Sequence, residues 1–118
     1  MKGIQVQQYI LKKIPEIIQN QKTETQDLDP EESIETLANF SHKKITENND
    51  DYIHSCFKVI NHIYTSGDDH IREEVLRKFI SPLHSYLKSY PRKKQDEILS
   101  LLNIELLNSY VYNKFELS

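Results

Sequence analysis

Between residues 53 and 64 the apolar side chains Ile53, Cys56, Phe57, Ile60, Ile63 and Tyr64 recur at spacings of three and four. That rhythm lines one face of a helix turning every 3.6 residues and fits no strand, whose faces alternate every second residue. The same period recurs along the chain, so helix-on-helix packing is the expected way to bury these faces. Composition agrees, because two glycines and four prolines in 118 residues are too few for the turns of a sandwich or barrel. The expectation is a single all-α domain over residues 1–118, a compact bundle of about five helices, largely antiparallel.

The first helix is predicted over about residues 3–20, with Val6, Ile10, Ile14 and Ile17 inward and Leu11 and Ile18 widening the stripe. Pro15 lies inside this pattern and should kink or split it. Residues 21–29 have no period and read as a loop. Asp29 then caps a second helix, with Pro30 at its first position and Glu32 three residues after the cap. Its inward residues are Ile34, Leu37, Ala38, Ser41 and Ile45, with Phe40 on the flank. The polar run Glu47-Asn48-Asn49-Asp50-Asp51 separates it from the third helix. Gly67 should end that helix in the left-handed conformation. Asp68 or Asp69 caps the fourth, which buries Ile71, Val75, Leu76, Phe79, Ile80, Leu83 and Leu87 and bends at Pro82. Pro91 opens a fifth, running to about Phe115. Its stripe begins with Ile98, Leu101 and Leu102 and continues on a rotated face as Ile104, Leu107, Val111 and Phe115. Asn103 marks the shift. The helix is either interrupted there or buried on more than one side.

Little in the sequence points to chemistry. Cys56 is the only cysteine, so neither an internal disulfide nor a thiolate cluster can form, as expected in a reducing cytoplasm. Its place on the apolar stripe makes it a small buried hydrophobe rather than a nucleophile. The five histidines lack metal-ligand spacing. His54 and Cys56 face different ways, while His62 and His70 flank the Gly67 turn beside Asp68 and Asp69. Arg77 and His84 echo the arginine–histidine pair of helical ribonucleases, but six residues intervene and Pro82 breaks the spacing, so the match fails. Glu31/Glu32 and Glu73/Glu74 are paired carboxylates, expected to cap helices and line solvated faces. No signal-peptide core and no apolar run of membrane-spanning length is present, and neither cofactor nor metal is expected.

Charge is more informative. Residues 24–51 hold nine acids against two lysines, and residues 58–94 hold eight basic residues against four acids. A net charge of -3 disfavours nonspecific nucleic-acid binding. Clustered carboxylates speed association with a basic protein. The expected partner site is therefore Glu24, Asp27, Glu31, Glu32, Glu35, Asp50, Asp51 and Tyr52, the tyrosine being an exposed aromatic anchor beside acids. Of Tyr110 and Tyr112, which cannot share one helix face, one is expected to be exposed.

From residue 57 the segment Phe57-Lys58-Val59-Ile60-Asn61-His62-Ile63-Tyr64-Thr65-Ser66-Gly67-Asp68-Asp69, followed by Val75-Leu76-Arg77-Lys78-Phe79-Ile80, resembles small helical bacterial proteins. These are found among the immunity proteins of polymorphic-toxin and contact-dependent inhibition systems. The resemblance covers about half the chain and supplies no functional residues. It implies a cytoplasmic, non-catalytic inhibitor that binds a cognate toxin, such as a basic nuclease domain, and occludes its active or substrate-binding site. Two alternatives are a helical adaptor with no toxin partner and a small helical enzyme with a pocket built from His62, His70 and Glu74.

Overall fold

The computed structural model describes residues 3–20 and 29–116, with side chains described for 5–17 and 29–111. Every element among them is helical. Helix α1 (Gly3–Lys13) stops before Pro15, whose missing N–H ends the α-type ladder. A 3₁₀ segment, Pro15–Asn20, follows it, opened by the Ile17 amide donating to the Ile14 carbonyl at 3.1 Å. Helix α2 (Pro30–Thr46) starts as its sequence predicts. Asp29 is extended and its Oδ1 accepts from the Glu32 amide at 2.8 Å, with Pro30 in the first turn. Residues 47–49 form a tight turn in which Asn48 has φ 55°, a left-handed conformation that asparagine tolerates better than most residues. Asn49 then caps α3 (Asp50–Ser66), accepting from the Tyr52 amide at 3.4 Å.

Gly67 ends α3, but not through left-handed geometry. Its φ of -76° and ψ of 155° suit any residue. Glycine is needed because the chain turns too closely for a side chain. A Cβ there would lie 2.6 Å from Ile71 Cγ2 and 2.8 Å from the Ile63 carbonyl oxygen. Asp68 caps α4 (Asp69–Val75), accepting from the Ile71 amide at 2.9 Å. The helix widens into a π segment, Leu76–Ile80, before resuming as α5 (Ser81–Leu87). Pro82 lies in the first turn of α5 and cannot donate back to residue 78, and the wider turn preceding it accommodates the missing bond.

The predicted fifth helix is interrupted. Helix α6 (Arg92–Leu99) ends in a turn, and α7 (Ile104–Glu116) begins after Asn103, whose Oδ1 accepts from the Leu106 amide at 2.9 Å. This new start resets the helical phase. Leu106 and Tyr110 point inward, whereas Ile104 and Val111, expected in the stripe, are 74% and 43% exposed. Leu107 is half-buried, and the side chains of Ile18, Tyr112 and Phe115 lie outside those described.

The short turns make α2 and α3, and α3 and α4, antiparallel. Helix α2 therefore runs parallel to the α4–α5 rod: Lys78 meets Glu31 near its start, and Tyr86 meets His42 near its end. The core lies between these helices, where Phe57 and Phe79 meet edge to face with ring centres 5.6 Å apart. At the far end of α2, the Tyr86 hydroxyl donates to the His42 carbonyl at 2.8 Å, with the hydroxyls of Thr46 and Tyr90 against it. The α6–α7 corner is tied to α3 by one side chain. Asn61 Nδ2 donates to the Leu101 carbonyl at 2.9 Å, and its Oδ1 accepts from the Asn103 amide at 3.0 Å. The Cα radius of gyration, 13.5 Å, is that of a compact globule of this length. No helix among the described residues is long and apolar enough to cross a membrane.

Candidate functional site

The acidic residues of the predicted site separate into two groups. Glu31, Glu32 and Glu35 sit in the first turns of α2, while Asp50, Asp51 and Tyr52 open α3 beside the last turn of α2. Seventeen residues of α2 lie between these ends, roughly 25 Å at 1.5 Å per residue. Glu24 and Asp27 lie outside the described residues.

At the α3 end, Tyr52 is half-buried rather than fully exposed. Its ring meets Phe40 edge to face at 5.7 Å, and Lys44 Nζ stands 4.8 Å from the Tyr52 ring centre and 5.1 Å from that of Phe40. Partial burial, together with the nearby Glu16 carboxylate, pushes the Tyr52 phenol above its ordinary pKa. Lys44 also pairs with Glu47 at 3.0 Å. Two other elements, α2 and the 3₁₀ segment, therefore hold this aromatic side chain, with Glu16 beside it and Glu47 on the same lysine, while Asp50 and Asp51 precede it in the first turn of α3. Asp50 and Asp51 are exposed and make no ion pair among the described residues. They also suit the positive end of the α3 dipole, a local role sufficient to explain two acids in a first turn. Glu16 and Phe40 carry no local sequence signal, since both reach Tyr52 only through the fold.

At the other end, Glu31 and Glu35 share Lys78, at 3.1 and 3.8 Å, and Glu32 is exposed. Glu74, expected on a solvated face with Glu73, is instead 3% exposed, while Glu73 is at the surface. One turn separates Glu74 from Ile71 and from Lys78, which places it on the α4 side that packs inward. Arg77 Nη1 contacts Glu74 Oε1 at 3.3 Å, and Glu74 Oε2 has no hydrogen-bond partner among the described residues.

The remaining candidates resolve into structural roles. His62 stacks on Tyr9 with ring centres 4.6 Å apart, His70 is exposed, and Glu74 turns to Arg77, so the three are not drawn together. Among the described residues no group of three His, Cys, Asp or Glu side chains is placed to hold a metal ion. Burial pushes the Cys56 thiol up to about 11, against smaller downward effects of a hydrogen bond with Ser41 and the charge of Lys44. His84 is buried with its ring 5.4 Å from Tyr110, well inside the bundle. An open groove of about 420 Å³ between α1 and the end of α3 is lined by Gln5, Gln8, Tyr9, Lys12 and Ser66. Its walls are amide, phenol, ammonium and hydroxyl groups that form no acid–base pair. Arg72, rather than binding an anion, donates from Nε to the Tyr64 carbonyl at 3.1 Å and closes the C-terminal turn of α3.

The chain belongs to the DUF7674 family, described as a domain of unknown function, whose sequence profile matches residues 8–117. Compared with curated proteins and with solved structures, it has no match.

Proposed function

We propose that this DUF7674-family chain is a stoichiometric binding protein of the immunity type. It acts in the cytoplasm and neutralises a cognate bacterial toxin by covering its active or substrate-binding site, with no catalysis of its own. The observation that carries this reading is the Tyr52 corner. An aromatic side chain already held by Phe40, Lys44 and Glu16 loses little freedom on binding, and the Glu16 carboxylate lies beside it while Asp50 and Asp51 stand exposed in the same turn of α3. A basic protein surface, such as that around a nuclease active site, complements it in charge. The resemblance of the α3–Gly67–α4 region to immunity proteins supplies the partner class.

The test is co-expression with a candidate toxin taken from a neighbouring gene. Cells should grow only when the chain is present, and the pair should co-purify in a one-to-one ratio. Tyr52→Ala should weaken the complex by about 2 kcal/mol, roughly thirtyfold, as truncation of an interface anchor does. A chain that neither binds nor protects refutes the proposal.

A further inference from the structure

Glu74 is expensive to keep where it is. An ionised carboxylate withdrawn from water needs its lone pairs occupied, and an apolar side chain in its place would bury without that penalty. Yet Glu74, 3% exposed, has one oxygen contacted at 3.3 Å by a single guanidinium nitrogen and the other without a partner among the described residues. Arg77 is tethered three residues along the same rod and brings only Nη1 to Oε1, while its own side chain remains 59% exposed. It is the outermost member of the pair, its side chain reaching water while Glu74 does not. The contact sits where α4 passes into the Leu76–Ile80 π segment, a helix irregularity that recurs at functional sites.

From this geometry we infer that Glu74 is a socket for an arginine side chain of a protein partner, held closed by Arg77. An incoming guanidinium displaces Arg77 and presents two parallel N–H donors, one to Oε1 and one to the unused Oε2. That bidentate arrangement is the one a carboxylate accepts best and the one Arg77 does not make. Displaced Arg77 is then free to meet an acceptor on the partner. The socket deepens the reading of a basic protein partner by specifying arginine as an anchor. It lies near the α2 start, beside Lys78 and its partners Glu31 and Glu35, away from the Tyr52 corner.

The test uses the ¹⁵N-labelled full chain titrated with N-acetyl-arginine amide, and with N-acetyl-citrulline amide as the neutral isostere. In the wild type, Arg77 competes and the arginine probe should bind weakly. Arg77→Gln removes the competitor and should bind at least tenfold tighter, with saturable shifts at the amides of residues 71–80. Arg77→Lys retains a neutralising charge, so it should stay folded and fall between the two. Glu74→Gln combined with Arg77→Gln should not bind, and the citrulline probe should shift nothing. Equal affinity in wild type, Arg77→Lys and Arg77→Gln overturns the proposal, as does binding that survives Glu74→Gln or is matched by citrulline. No toxin enters this measurement. The socket can therefore fail while toxin rescue succeeds, and the reverse.

Discussion

Asn61 closes the α6–α7 corner with both ends of its amide, and its replacement by alanine should cost more than an ordinary half-buried polar substitution. Two hydrogen bonds disappear, the 2.9 Å bond to the Leu101 carbonyl and the 3.0 Å bond from the Asn103 amide. Each contributes about 1 kcal/mol net, and the two backbone groups left behind are partly shielded, which raises the total to about 2–3 kcal/mol. For a domain of this size that corresponds to a melting temperature lower by about 8–12 °C. Urea unfolding followed by far-UV circular dichroism should show a lower midpoint with an unchanged slope. Amide exchange of Asn103 and Leu106 should accelerate beyond the global change, because α7 loses its tether before the rest of the bundle opens. Asn61→Asp separates the two bonds. It retains the acceptor for the Asn103 amide but replaces the donor facing Leu101 with a second oxygen, so it should be as destabilising as alanine despite its near-identical shape. Loss of under 0.5 kcal/mol in Asn61→Ala, or a benign Asn61→Asp, would refute the clamp.

Three further outcomes follow from single residues. Gly67→Ala should destabilise by about 1–2 kcal/mol in chemical denaturation, because the added methyl strikes a backbone carbonyl and a core isoleucine; a neutral or stabilising effect would show that the turn can open. Cys56 should resist alkylation by iodoacetamide at pH 8 in the native state and react only as the chain unfolds, since its pKa near 11 and its burial both suppress the thiolate. His42 is stacked on Tyr86 at 4.3 Å, and burial lowers its pKa below 6.5, so the unfolded chain binds its proton first as pH falls. Its contribution is complete above pH 6.5 and is lost as pH falls through the folded value. Urea midpoints should therefore drop between pH 7.5 and 5, and by less in His42→Asn; an equal drop would assign the effect to other groups.

The elements that the sequence makes legible are those governed by neighbours three or four residues away. Asp29 and Asp68 cap where their side chains can reach their own helix, and Pro15 and Pro82 disturb the ladder where they stand. Gly67 ends α3 where its sequence suggests, but for a different reason, because crowding against Ile71 depends on how α4 leaves the turn and not on the glycine's own φ. Ile104 and Val111 lie outside the core because an apolar stripe predicts a buried face only while the helix is continuous. The cap at Asn103 starts a new phase in which Leu106 and Tyr110 turn inward. Glu74 did carry a local signal. Its spacing from Ile71 puts it on the inner face, but its charge and its neighbour Glu73 suggested solvent. Tyr52 could not be read at all beyond its own turn, since Glu16, Phe40 and Lys44 come to it from two other elements.

The acids between residues 29 and 51 thus form two separate surfaces in space, and charge-matched substitutions distinguish them. Asp50→Asn with Asp51→Asn and Glu31→Gln with Glu35→Gln each remove two negative charges, so both pairs change the distant field by the same amount. Any difference between them in association rate with the proposed toxin partner reports where that partner docks rather than how acidic the chain is. Docking at the Tyr52 corner should lower the association rate about tenfold at low salt for the first pair and about twofold for the second. The gap should close as salt shortens the screening length below about 10 Å. The second pair carries its own signature, because Lys78 loses both of its carboxylates, and that appears in stability rather than in rate. Equal slowing by the two pairs would mean that only total charge matters, and would remove the Tyr52 corner as the docking site. Slowing confined to the Glu31/Glu35 pair would move the interface to the end of the bundle that holds Glu74.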